Sequence, residues 1–170
     1  MAARPRIIHS DNVCRIGIWQ NALLIDVARD VDLEHMQRMG KAHAEVLADY
    51  PQGMVTLAVV GAQVPIATSE SRAESARFVK ALGDSLRRTV LVLENQGVTA
   101  QLLLTVIRGI NVIARNPKLV VLPTVSDAIA NLAPMIEGLP QAQVQAEMSE
   151  AFAVFREGYA TSSALRAYPS

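Results

Sequence analysis

The sequence predicts an α/β domain built on a mixed sheet, and three observations predict it. Short β-rich apolar segments fall at residues 13–19, 22–28, 54–60, 90–93 and 119–122. Between them, apolar positions recur at the spacing of a one-sided helix. The helical stretches open on Asp, Ser or Thr and close at Pro or Gly, as helix ends do. A chain of 170 residues, 51% of them apolar, is long enough to bury one core of useful size.

The elements follow in order. Residues 13–19 and 22–28 are separated by the polar pair Gln20-Asn21 and read as an antiparallel hairpin. Asp32 is the expected N-cap of a first helix whose Leu33, Met36, Met39, His43, Val46 and Leu47 share one face until Pro51 and Gly53 stop it. Residues 54–60 form a nearly uninterrupted apolar run, the pattern of a strand covered on both faces. A second helix is expected over 71–88, with Phe78, Val79, Leu82 and Leu86 inward, and Ser71-Arg72-Ala73-Glu74 fits a capping box at its start.

A short buried strand at 90–93 comes next, then a third helix over 99–116 that carries Leu102, Leu103, Val106, Ile107, Ile110 and Ile113 and is closed by Pro117. A strand at 119–122 leads to a fourth helix, capped by Thr124 or Ser126 and containing Ile129, Leu132 and Ile136. The order is ββαβαβαβα, which implies right-handed parallel crossovers with an antiparallel hairpin at the sheet edge. After GLPQAQ, the stripe Val144, Met148, Ala151, Phe152 and Phe155 marks an amphipathic helix over 141–158. The chain then divides into an N-terminal arm (1–12), an α/β domain (13–137) and a C-terminal helix with its tail (138–170).

Composition narrows the function. Sixteen basic and sixteen acidic side chains cancel, so the long-range field of a nucleic-acid binder is missing. The apolar runs stop far short of the roughly 20 residues that cross a bilayer, so no membrane insertion is expected. The single cysteine, Cys14, has no partner for an internal disulfide, and MAARPRIIHSDN lacks the apolar core of a secretory signal, which points to a reducing cytoplasm.

No phosphate-binding P-loop, dinucleotide fingerprint, H-E-x-x-H or G-x-S-x-G motif occurs, and no catalytic residue is assigned. His35 and His43 share a helix face but stand about 12 Å apart, too far to share a metal. Cys14 reads as a buried, inert thiol. Asp26, Asp30 and Asp32 cluster after the hairpin, where capping and the helix dipole attract acids without any cation. Gly97-Val98-Thr99 opens the third helix and offers an anion only its free amides. Neither metal nor cofactor is therefore expected. Trp19 lies at the hairpin tip, either exposed to a partner or folded over the sheet edge.

The element order, together with the Thr-x-x-Asp-Ala-Ile-x-x-Leu rhythm of LVVLPTVSDAIANL, resembles the STAS domain family of sulfate-transporter and anti-sigma-factor-antagonist modules, here as a small bacterial STAS-like protein. The likeness spans about residues 13–137. It implies a non-catalytic regulatory module that binds a protein partner, with a phospho-acceptor serine at the start of the second helix. By position Thr68, Ser69 and Ser71 match that acceptor, Ser69 first because Ser71 has a capping duty. The family's Asp-Ser acceptor pair is replaced here by the longer loop GAQVPIATSESRAES. Val64, Ile66, Arg72 and Trp19 are the candidate partner contacts. The C-terminal stripe packs on its own domain or on a second copy, as a homodimer. An alternative is a small apolar ligand or lipid binder of topology similar to CRAL-TRIO proteins, and a third is a small enzyme. A deep apolar cavity would favour the second, and ionisable groups gathered in a cleft the third.

Overall fold

The computed structural model describes residues 4–94, 101, 104–105 and 118–159. Six strands form one sheet in the spatial order β1-β2-β3-β4-β5-β6, where β1 is Arg6–Ser10, β2 Cys14–Trp19, β3 Ala22–Val27, β4 Met54–Val60, β5 Leu86–Leu93 and β6 Leu119–Leu122. The first two pairings are antiparallel and the remaining three parallel. Among the described residues four α-helices accompany the sheet: α1 (Leu33–Asp49), α2 (Ser69–Leu82), α3 (Val125–Leu132) and α4 (Gln141–Arg156). Of the helix expected over 99–116, residues 101, 104 and 105 are described and are helical, while the remainder, its start at Gly97-Val98-Thr99 and the tail beyond 159 lie outside the described residues.

The strand β1 corrects the expected N-terminal arm. Arg6-Ile7-Ile8-His9 is too short and too exposed to announce itself, and it becomes a strand by pairing with β2. That pairing slips by one residue between Ile7 and His9, a β-bulge. Ile7 stands opposite Gly17, whereas His9 stands opposite Ile16, so the bulge turns His9 onto the other face of the sheet.

The second helix also departs from expectation at both ends. Its N-cap is Thr68, whose hydroxyl accepts from the Ser71 N–H, so Ser71 is the third helical residue and not the cap. The helix stops at Leu82 because Gly83 adopts φ 51°, the left-handed region that glycine tolerates, and its N–H bonds back to Val79. Leu86, expected on the helix, instead opens β5. Asp32 and Thr124 cap α1 and α3 by accepting from the N–H groups of His35 and Asp127. A 3₁₀ turn, Ala133–Met135, takes the place of the fourth helix's last turn.

Alternation along the strands separates two cores. On one face Ala22, Leu24, Val55, Leu57, Val90 and Val92 pack with Trp19 against α3 and α4, whose Ile129, Leu132, Val144, Met148, Phe152 and Phe155 are buried. The C-terminal stripe thus packs within the chain. Gly17 lets Phe155 lie flat on β2, since a Cβ there would meet the ring at 3.0 Å. On the opposite face Cys14, Ile16, Leu23, Ile25 and Ala58 meet Met39, Ala42 and Val46 of α1 and the half-buried Phe78 and Val79 of α2. The hairpin turn is tied down by Asn21, fully buried: its side-chain amide donates to the Gly53 and Met135 carbonyls and its Oδ1 accepts from the Glu137 N–H.

Candidate functional site

The start of α2 shows how the predicted site residues divide. Ser69 and Thr68 are exposed, whereas Ser71 is fully buried and donates its hydroxyl to the Val31 carbonyl at 3.1 Å. As a phospho-acceptor Ser71 is closed off by that burial. Arg72 is half-buried and donates to the Ala67 carbonyl at 2.6 Å, and Arg77 is held by Glu74, so both arginines already have partners. Across from Thr68 and Glu70, the residues Asp30, Asp32 and Glu34 line the same open cleft. A phosphate on Thr68 or Ser69 would enter an acidic neighbourhood.

Two of the proposed partner contacts are interior. Trp19 is 2% exposed and folds into the α3–α4 core, and its Nε1 finds no acceptor among the described residues. Val64 is 6% exposed because the loop after β4 turns it under α2, while Ile66 is half-buried beside it.

Val64 forms part of the wall of a partly enclosed cavity of about 210 Å³ between the sheet and the α1–α2 pair. Ile25, Thr56, Ala58 and Leu91 form its sheet wall, Met39 and His43 come from α1, Phe78 and Val79 from α2, and Val64, Pro65 and Ala67 from the loop. Parallel strands place every second side chain here, and three of those on β4 and β5 are short, Thr56, Ala58 and Thr89, so the space above them is left open. Arg72 is the one charged side chain on the described lining.

His43 is the polar feature of the cavity wall. Its Nδ1 lies 2.7 Å from the Met39 carbonyl and its Nε2 3.0 Å from Thr56 Oγ1, so Nδ1–H donates to the helix carbonyl and Nε2 accepts the Thr56 hydroxyl proton. Burial pushes its pKa down to about 4, so it is a neutral, structurally satisfied ring at pH 7. Phe78 stacks on it at 5.1 Å.

A second constellation joins residues of the bulged edge strand, the turn after it and α1. Asp11 Oδ2 stands 2.9 Å from the Nε2 atoms of both His9 and His35, and Asp11 Oδ1 accepts from the Val13 and Cys14 N–H groups. His35 Nδ1 lies 2.7 Å from Asp32 Oδ1. Burial works against charge on His35, yet its bonds with Asp11 and Asp32 hold its pKa above the ordinary histidine value. Burial alone would raise Asp11 as well, and the Cys14 and Val13 N–H groups with the two histidines hold it well below the usual carboxylate range. Cys14, fully buried beneath them, has its thiol pushed up to about 12 by burial and then by Asp11. His43 takes no part in this cluster; the ring beside His35 is that of His9, with ring centres 6.0 Å apart. The signal within the sequence is His-x-Asp-x-x-Cys, hidden because its first member sits on β1, which pairing and not local pattern makes a strand.

The acidic trio after the hairpin is dispersed. Asp26 is buried on the other face, where burial raises its pKa and Arg156 opposes that with a 2.6 Å bond from Nε, while Asp32 caps α1 and Asp30 faces the open cleft. Arg156 also donates to Glu94 at 2.9 Å. No helix among the described residues is long and apolar enough to cross a membrane. Comparison with protein-family models, curated proteins and solved structures finds no match.

Proposed function

We propose that the chain is a non-catalytic binding module whose cavity between the sheet and the α1–α2 pair takes a small apolar ligand with an anionic end. The observation that carries this reading is the cavity itself: about 210 Å³, walled by aliphatic side chains and Phe78, with Arg72 as its charged group. An apolar cavity of roughly 150 Å³ stays dry and accepts benzene, so this one suits a ligand somewhat larger than that and smaller than a drug-sized compound. His43 is neutral and satisfied by Met39 and Thr56, so it serves as wall and not as base.

The test is a calorimetric and NMR titration of the full chain with straight-chain carboxylates of about four to ten carbons and with the matching alcohols. The expected result is saturable binding with an optimum length, lost in Ala58→Leu, which fills the cavity, and weakened more for carboxylates than for alcohols in Arg72→Gln. Absence of saturable binding at every length, or binding indifferent to Ala58→Leu, contradicts the reading.

A second reading, the STAS-like partner module, is supported by the exposed Thr68 and Ser69 at the start of α2 and by the loop that joins this start to the cavity wall through Val64 and Ala67. Partner binding through this surface would then sense the ligand. Ser69→Asp adds charge beside Glu70 and opposite Asp30, Asp32 and Glu34. Its expected effect is a changed set of proteins retained from the native cell, with the melting curve nearly unchanged. An unchanged set, with no phosphate on Thr68 or Ser69 in native protein, contradicts it.

A further inference from the structure

We infer that His9, Asp11, Cys14 and His35 form a zinc site that pins the first hairpin to α1. Their donor atoms, two imidazole nitrogens, one carboxylate oxygen and one sulfur, lie within 4.8 Å of one another. A tetrahedral zinc ion with bonds of about 2.0–2.3 Å needs donors separated by roughly 3.3–3.7 Å. The hydrogen-bonded pairs at 2.9 Å must open slightly and the wider pairs close by about an ångström, well within the reach of side-chain torsions.

Three further features favour the ion over a hydrogen-bonded cluster that merely satisfies itself. The bulge in β1 is the first, for without the extra residue His9 would follow Ile7 onto the opposite face, away from Cys14 and α1. The second is an outer shell already in place. Asp11 Oδ1 is occupied by two backbone N–H groups, leaving Oδ2 for the metal, and Asp32 holds His35 Nδ1, so that Nε2 faces inward. The third is Cys14, whose thiol is fully buried and makes no hydrogen bond with the described residues. A closed set of two histidines, one cysteine and one carboxylate matches the donor preference of zinc, and its two anionic ligands balance the ion's charge. With four protein ligands no coordination position stays open, which makes the site structural. Binding releases the protons of Cys14 Sγ and His35 Nε2 to solvent while Nδ1–H of His35 remains on Asp32, and on His9 the ring proton passes from Nε2 to Nδ1 so that a neutral imidazole ligates.

The decisive experiment titrates the chelator-stripped full chain with Co²⁺ as a spectroscopic probe, followed by displacement with Zn²⁺. The expected result is one equivalent per chain, the intense visible bands of tetrahedral cobalt, and a near-ultraviolet thiolate-to-cobalt band. Cys14→Ser should lose the thiolate band. His9→Ala, on an edge strand where the fold tolerates truncation, should weaken zinc binding at least about a hundredfold; Asp32→Asn keeps the α1 cap and should weaken it about 10–100-fold. No cobalt spectrum in folded wild-type protein overturns the proposal. So does a spectrum that His9→Ala leaves unchanged, since the ion would then sit elsewhere.

Discussion

The two faces of the sheet are built from the same strands and packed to different ends. On the α3–α4 face, Trp19, Phe155, Leu132 and Met148 are all 2% exposed or less, and they interlock against the large side chains of alternate strand positions. On the α1–α2 face, the strands present Ala58, Thr56 and Thr89, and a cavity of about 210 Å³ remains beneath half-buried Phe78 and Val79. Filled space holds a fold together, and open apolar space costs stability that a domain keeps only where something else is gained. The difference sets a filled, stabilising face against one that keeps open apolar space, the space to which the proposed function assigns a ligand.

The largest expected effect tests the filled face. Phe155→Ala should destabilise by about 3–5 kcal/mol, the range for a buried ring truncated in a packed core. Phe78→Ala, on the cavity face, should cost less than half of that because the ring is already partly exposed. Equal losses in chemical denaturation would erase the contrast.

A pH series sharpens it next. The folded value of about 4 for His43 lies below the ordinary 6.5, so the unfolded chain takes up this proton first. The stability associated with neutral His43 is complete above pH 6.5 and is lost as pH falls toward 4, by about 3 kcal/mol. Besides Thr56, the Met39 carbonyl and the Phe78 ring, the charged described residue on its cavity is Arg72, which would oppose a second positive charge. Denaturation midpoints for His43→Leu should be flatter than wild type across this window; parallel curves would show that the ring is solvated and the cavity wet.

The smallest effect compares two alanines. Ala128→Leu, in the filled core at 0% exposure, should cost about 1–3 kcal/mol by overpacking. Ala58→Leu should be close to neutral, because the added carbons enter open space. Thermal melts of the two variants decide, and an equal loss in both would mean that the cavity closes in solution.

Much of the fold was legible because its signals are local. The runs at 54–60 and 119–122, the caps Asp32 and Thr124 and the stripe from Val144 to Phe155 all behave as their spacing requires. The misses arise where tertiary contact decides. Arg6–Ser10 carries two isoleucines and becomes a strand only by pairing. Leu82 and Leu86 continue the helical spacing through Gly83, and the left-handed turn that this glycine adopts ends the helix there. Ser71 satisfies a capping pattern that Thr68 takes over three residues earlier.

The sites were harder to read for the same reason. Val64 reads as a partner contact and Trp19 as either exposed or folded over the sheet edge, because apolar residues near turns carry no mark of which way the chain folds over them; both are interior. Helical spacing sets His35 beside His43 on its own helix, while its neighbours come from a bulged edge strand and a hairpin turn. A cavity is a property of what two faces fail to fill, and Ala58 reads in sequence as any small strand residue.

The most direct measurement is a crystal structure of the full chain under xenon pressure, since xenon enters apolar cavities and avoids polar, hydrated ones. Xenon is expected between the sheet and the α1–α2 pair, in contact with Ala58, Met39 and Phe78, and none in the α3–α4 core. Ordered waters bonded to His43 and Arg72 in that space, or xenon density in the α3–α4 core instead, would contradict that expectation.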